Sequence, residues 1–182
     1  ANLLEAGATT PARLRSPVRA WECLLLVPGP LARAPRMSLS YRHVFHAGNH
    51  ADVLKHCLLL HILRYLNRKP KPWRYIETHA GAGQYDLSDP LARGLNEAKS
   101  GIARVLTAPD PPPLLADYLA LVKTHQQKNG GPRHYPGSPC LAAQAMRSHD
   151  SLHLFELHGA DEARLRAGLA GFGRRVRIHR AD

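Results

Sequence analysis

The sequence predicts an α/β fold built on a parallel sheet. Three observations carry that reading. Short apolar segments from Trp73 to Ile76, Leu152 to Leu157 and Arg175 to Arg180 have the length and content of buried strands. Helix-period stretches separate them, and strand alternating with helix implies parallel strands joined by right-handed crossovers. The first strand runs directly into "IETHAGAGQYD" (76–86), where Glu77 is followed by a Gly81-Ala82-Gly83 turn.

Residues 1–36 are rich in alanine and proline, carry five arginines and show no period. We expect a basic, disordered extension, with Met37 as the natural start. A signal peptide competes as a reading, since Arg13, Arg15 and Arg19 precede Leu24-Leu25-Leu26-Val27. Glu22 interrupts that apolar region, and Pro28 and Pro30 cut it short.

Asn49 is placed to cap a helix whose apolar side is Val53, Leu54, Cys57, Leu58 and Leu63, with Asp52 where an acid suits a helix start. Lys69-Pro70-Lys71-Pro72 ends it. After the first strand and its turn, a helix is expected over 95–106 on Leu95, Ala98, Ile102 and Val105. Another follows over 114–122 on Leu115, Tyr118, Leu119 and Val122, stopped by Asn129-Gly130-Gly131-Pro132. Ser138-Pro139 reads as an N-cap followed by proline at the first helical position, opening a helix through Met146. The second strand, a helix over 160–170 ended by Gly171, and the third strand complete the pattern.

The chain has 182 residues, 44% hydrophobic and 21% charged, and no apolar run of the roughly 18 residues that a membrane helix needs. With 25 Lys and Arg against 14 Asp and Glu, its net charge of +11 points to a polyanionic partner. Between Tyr41 and Tyr75 stand Arg42, Lys55, Arg64, Arg68, Lys69, Lys71 and Arg74 against one acid, Asp52. A solvated helix face and a nucleic-acid surface both fit that stretch. Cys23, Cys57 and Cys140 have no C-x-x-C spacing, so neither a disulfide framework nor a zinc knuckle is indicated, and a reducing cytoplasm fits.

A glycine turn after a sheet's first strand lets backbone approach a nucleotide closely, and an acid at a strand end can accept from ribose hydroxyls. A plain tight turn explains the glycines equally well. Glu156, at the end of "LHLFEL", favours the nucleotide: it stands where a ribose-binding acid of the second strand would lie. It follows Glu77 by 79 residues, whereas a simple dinucleotide fold has roughly 20. That gap implies an inserted helical segment over about 88–133. Asp182, after the third strand, is a further acid at the same sheet edge. His43, His46, His50, His56 and His61 form the other cluster. A metal is one reading of it, but the spacing fits no closed site, and contacts to phosphate, carboxylate or base are plainer roles. We expect no metal.

Four blocks, "LSYRHVFHAGNHADVLKH" (39–56), "ETHAGAGQYDL" (77–87), "YPGSP" (135–139) and "FELH" (155–158), together resemble the RlmJ family, the likeness running from about Met37 to Asp182. The resemblance implies a Rossmann-like fold with a small inserted helical subdomain. It implies use of S-adenosyl-L-methionine to methylate the N6 amine of an adenine in 23S ribosomal RNA, by a cytoplasmic monomer without membrane attachment. It further implies that His56, His79, Ser138, Glu156 and Asp182 contact the cofactor and that Tyr41 lies near the target base. Glu156 would take the ribose, Asp182 the adenine, and His56 and His79 the methionine end.

One departure qualifies this. The family carries an Asp-Pro-Pro-Tyr type motif after a fourth strand, and this sequence contains none. We therefore expect residues 37–182 to be the N-terminal, cofactor-binding part of an incomplete methyltransferase domain, with no catalytic residue in this chain and no activity alone. A nucleotide-dependent oxidoreductase and a non-catalytic RNA-binding module are the alternatives.

Overall fold

Helix α1 (His50–Asn67) begins where the sequence places it. The Asn49 side chain accepts from the Asp52 amide, and the helix buries Val53, Cys57, Leu60 and Leu63. The computed structural model describes residues 42–181, so Tyr41, Asp182 and the expected disordered extension lie outside the described residues. A short 3-10 turn, His43–Phe45, precedes α1.

The parallel sheet joins β1 (Arg74–Glu77), β4 (Ser151–Phe155) and β5 (Val176–His179) in that order, with Glu77 opposite Leu154 and Phe155 opposite His179. The strands are short, and among the described residues one sheet face enters the core. Leu152 and Leu154 are fully buried on it, packed with Leu63 of α1, Ala142 and Ala143 of α6 (Ser138–Ala145), and Leu165 and Leu169 of α7 (Gly159–Leu169). A 3-10 segment, Ala170–Arg175, links α7 to β5.

Between β1 and β4 the chain forms a second, antiparallel pair, β2 (Gln84–Asp86) with β3 (His134–Pro136). No sequence signal marked this ribbon, because three-residue strands are too short to show alternation. Four helices lie between its strands: α2 (Pro90–Leu95), α3 (Glu97–Ser100), α4 (Ile102–Leu106) and α5 (Pro113–Lys128). Tyr118 and Val122 of α5 and Tyr135 of β3 are fully buried against Leu60 and Ile102.

Two expectations are corrected here. The helix expected over 95–106 is broken, first at Asn96, which is left-handed (φ 52°), and again at Gly101 (φ −94°, ψ −109°). The cause of the second break is a backbone contact. A Cβ on Gly101 would lie 2.1 Å from the Gly48 oxygen, and the Ile102 amide donates to that oxygen at 2.8 Å. Ser138, in turn, does not cap α6. Gly137 is the N-cap, Ser138 is the first helical residue, and its hydroxyl is committed to Glu77 instead.

Candidate functional site

Because β1 and β4 are parallel neighbours, their C-terminal ends open on one edge, and ligands of open α/β sheets bind at that edge. Glu77 ends β1, and Glu156 directly follows β4. Between β1 and β2 the chain makes the glycine turn, with Gly81 at φ +63° and Gly83 at φ +71°.

The turn is fastened at three points. The Ala80 amide donates to the Phe155 oxygen (2.9 Å), the Gly81 amide to Glu156 Oε2 (2.7 Å), and the Gly137 amide to the Gly83 oxygen (2.7 Å). Glu156 Oε1 accepts from the His158 amide at 2.7 Å. Glu156 thus ties the turn to the end of β4. A carboxylate has about four acceptor positions, so capacity for two more donors, such as ribose hydroxyls, is left.

Glu77 is half-buried. Its Oε1 accepts from Ser138 Oγ at 2.5 Å, while Oε2 is buried with no partner at hydrogen-bonding distance. Burial pushes this carboxyl up to about 7, against the opposing influence of the Ser138 and Tyr75 hydroxyls. His79 is exposed in the turn, its Nδ1 3.0 Å from Thr78 Oγ1. Among the expected cofactor contacts, therefore, Ser138, Glu156 and His79 gather around the sheet edge, with Glu77 between them.

His56 lies deeper. It is 4% exposed on α1, with Nδ1 2.9 Å from the Tyr135 hydroxyl, which in turn lies 2.9 Å from that of Tyr118. Burial lowers its pKa to about 4, so the ring is neutral at pH 7.

The sequence reading missed a buried group one turn before His56. Asp52 is 1% exposed and accepts from His43 Nε2 (2.8 Å), the Gly48 amide (3.1 Å) and Lys55 Nζ (3.2 Å). Burial alone would raise this carboxyl, but His43, His56 and the Gly48 amide together hold it at about 2. The His43 ring tilts against that of Tyr85 at 5.3 Å, and the Tyr85 hydroxyl lies directly under Gly81. The start of α1 is thereby coupled to the glycine turn. The available signal was Asp52 itself, a single acid among seven cations.

The histidine cluster is dispersed. His43 faces Asp52, His46 Nδ1 meets Glu97 Oε2 at 3.0 Å, and His50 and His61 are exposed. Among the described residues no group of His, Cys, Asp and Glu is arranged to hold a metal ion.

Residues 70–182 match the family model described as ribosomal RNA large subunit methyltransferase D, RlmJ. The chain belongs to the RlmJ family. It is 46% identical over 144 residues to the ribosomal RNA large subunit methyltransferase J of Escherichia coli K12, covering 79% of this chain and 51% of that protein. It is 44% identical over 128 residues to the Haemophilus influenzae protein of the same name, covering 70% and 46%. A Legionella pneumophila protein of known crystal structure superposes with a TM-score of 0.66 at 40% identity, over 75% of this chain and 49% of that one. The chain thus spans about half the length of the RlmJ relatives it matches. The fold is the incomplete Rossmann-like α/β arrangement expected, and no helix among the described residues is long and apolar enough to cross a membrane.

Proposed function

We propose that this chain is the cofactor-binding part of an enzyme that methylates the N6 amine of an adenine in 23S ribosomal RNA from S-adenosyl-L-methionine, acting in the cytoplasm as a monomer. One observation carries the reading. Two carboxylates, Glu77 and Glu156, end adjacent parallel strands on either side of a glycine turn that one of them anchors.

The residues present fit the cofactor. The turn brings bare backbone to the sheet edge, Glu156 retains acceptor capacity for ribose hydroxyls, and Ser138 at the start of α6 and exposed His79 flank the same opening. His56, buried on α1, would stand toward the methionine end. Asp182 would take the adenine amine, and Tyr41 would stand by the target base. Bound S-adenosyl-L-methionine supplies a sulfonium methyl that passes to an amine nitrogen, which loses a proton. This chain's residues would bind and orient the cofactor, and the acid or amide that holds the adenine amine would be supplied from outside the described residues.

For RNA, Lys55, Arg64, Arg68, Lys69 and Lys71 are exposed along α1 and the following loop, and Arg74 at the start of β1. Arg64 pairs with Asp117, and Lys55 reaches Asp52. The rest of that row is open to phosphate contacts.

Calorimetric titration of the full chain with S-adenosylhomocysteine tests the binding. Glu156→Ala should weaken it about tenfold, the loss expected for a hydrogen bond to a charged acceptor; unchanged binding would sink the assignment. Labelled methyl transfer by a full-length enzyme to unmethylated 23S RNA tests the reaction, and label on any atom but an adenine N6 would refute it.

A further inference from the structure

A chain of hydrogen bonds runs through the core to His56. The Tyr118 hydroxyl of α5 lies 2.9 Å from that of Tyr135 of β3, which lies 2.9 Å from His56 Nδ1. Both tyrosines are fully buried and His56 nearly so. Burial raises both phenols, so both keep their protons at pH 7. The neutral imidazole carries one N–H. Two contacts are thus shared among two hydroxyl protons and one ring proton, and a single arrangement gives each hydroxyl proton an acceptor. Tyr118 donates to Tyr135, Tyr135 donates to His56 Nδ1, and the ring proton stands on Nε2. Every other arrangement leaves a buried hydroxyl proton with no acceptor among the described residues, a costly state.

We propose that Tyr135, backed by Tyr118, is a positioning residue of the cofactor site: it holds His56 as a fixed Nε2–H donor, which takes the carboxylate of the methionine end and not its ammonium. The choice of ligand group rests on the S-adenosyl-L-methionine reading above; the order of the hydrogen bonds does not. The two groups at that end differ in kind, since an ammonium only donates and a carboxylate only accepts. A histidine free to change tautomer could serve either. One whose Nδ1 is occupied by a phenol proton serves the acceptor alone. Tyr118 adds to this by polarising the Tyr135 hydroxyl, which strengthens its donation. The same segment also fastens the opening, for the Gly137 amide donates to the Gly83 oxygen and the Ser138 hydroxyl to Glu77. Residues 135–138 thereby set the ring, the turn and the acid of β1 from one short stretch.

Nitrogen NMR of the full chain, isotope-labelled at histidine, reads the tautomer at pH 7 with no ligand present. His56, assigned by the signal lost in His56→Gln, should be protonated at Nε2 alone, with Nδ1 shifted as a hydrogen-bond acceptor. Tyr135→Phe, which keeps the ring in the core, should abolish that Nδ1 shift, whereas Tyr118→Phe should keep the tautomer. In calorimetric titrations Tyr135→Phe should weaken S-adenosylhomocysteine roughly three- to tenfold and leave methylthioadenosine, which has no carboxylate, unchanged. His56 protonated at Nδ1 in the parent would overturn the hydrogen-bond order whatever the binding result. Equal weakening of both ligands, or of neither, would overturn the carboxylate contact. A parent chain that binds neither ligand would overturn the cofactor reading and the carboxylate contact with it, while the spectrum still decides the hydrogen-bond order.

Discussion

Glu77→Gln tests the electrostatics of the sheet edge most directly. Burial raises this carboxyl from its ordinary 4.5 to about 7. Between those values the unfolded chain gives up its proton first, so the folded state holds more protons and stability falls as pH rises. At 1.36 kcal/mol per tenfold change in ionisation, the loss is about 3 kcal/mol, present in full above pH 7 and absent below pH 4. Glutamine keeps an oxygen to accept from Ser138 and removes the titration. The variant should therefore match the parent within about 1 kcal/mol at pH 4.5 and exceed it by roughly 2–3 kcal/mol at pH 8.5. Urea unfolding at the two pH values reads the difference, and with a slope of about 1–3 kcal/mol/M the midpoint should move by roughly 1–2 M at the higher pH only. A stability difference that is the same at both pH values would refute the account, because it would show that Glu77 is not held neutral by its surroundings.

Three other outcomes follow from the same geometry. Gly81→Ala should cost roughly 2–3 kcal/mol, since its φ is +63° and a Cβ would stand 2.2 Å from the Tyr85 hydroxyl; in a Tyr85→Phe background part of that cost should return, and strictly additive costs in denaturant unfolding would exclude the contact. Asp52→Asn should destabilise by about 2–4 kcal/mol at pH 7 by removing the buried negative charge that His43 and Lys55 face. Because the Asp52 carboxyl sits at about 2 rather than 3.8, that cost should hold above pH 4 and shrink below it, which acid titration of both proteins would reveal. His56 is depressed to about 4, so the parent should lose roughly 3 kcal/mol between pH 6.5 and pH 4 as the unfolded chain takes up the proton first; His56→Gln should lack that step, and melting temperatures at pH 7 and 4.5 should separate the two proteins.

The legible parts of the fold were those written in local pattern. Three strands, the Asn49 cap and the helix opening at Ser138-Pro139 rest on spacing, capping and proline placement, each a property of a few neighbouring residues. The β2–β3 ribbon was not legible, because its pairing of Gln84 with Pro136 and Asp86 with His134 is long-range and its strands have three residues. The breaks at Asn96 and Gly101 were hidden for the same reason: Gly101 must touch the Gly48–Asn49 backbone, and nothing around residue 101 announces it. At the site, Glu77 and Glu156 were visible as acids at strand ends. What Ser138 does was misread, since N-cap statistics cannot foresee that a carboxylate from β1 competes for its hydroxyl. Asp52 was seen only as a favourable charge for a helix start, though its burial and its grip on His43 link α1 to the turn.

The glycine turn shows why fold and function have to be argued separately here. Gly81 and Gly83 are each required by packing, one over the Tyr85 hydroxyl and the other against Leu165 Cδ1 at 2.6 Å, and both have positive φ. Their presence would be explained if no ligand ever approached. What packing does not require is the arrangement of acids around them. Glu156 spends two acceptor positions on the Gly81 and His158 amides, a task that a neutral side chain could share, yet it is a carboxylate at the open edge of the sheet. Glu77 is costlier still, a half-buried acid with one buried oxygen unpartnered at a place where Leu or Val would extend β1 at no electrostatic penalty. Substituting the glycines would therefore report on stability first. Substituting the two acids separates the functions: Glu77→Gln should leave or improve stability, and any loss of ligand affinity in that variant would measure what the carboxyl contributes to binding alone.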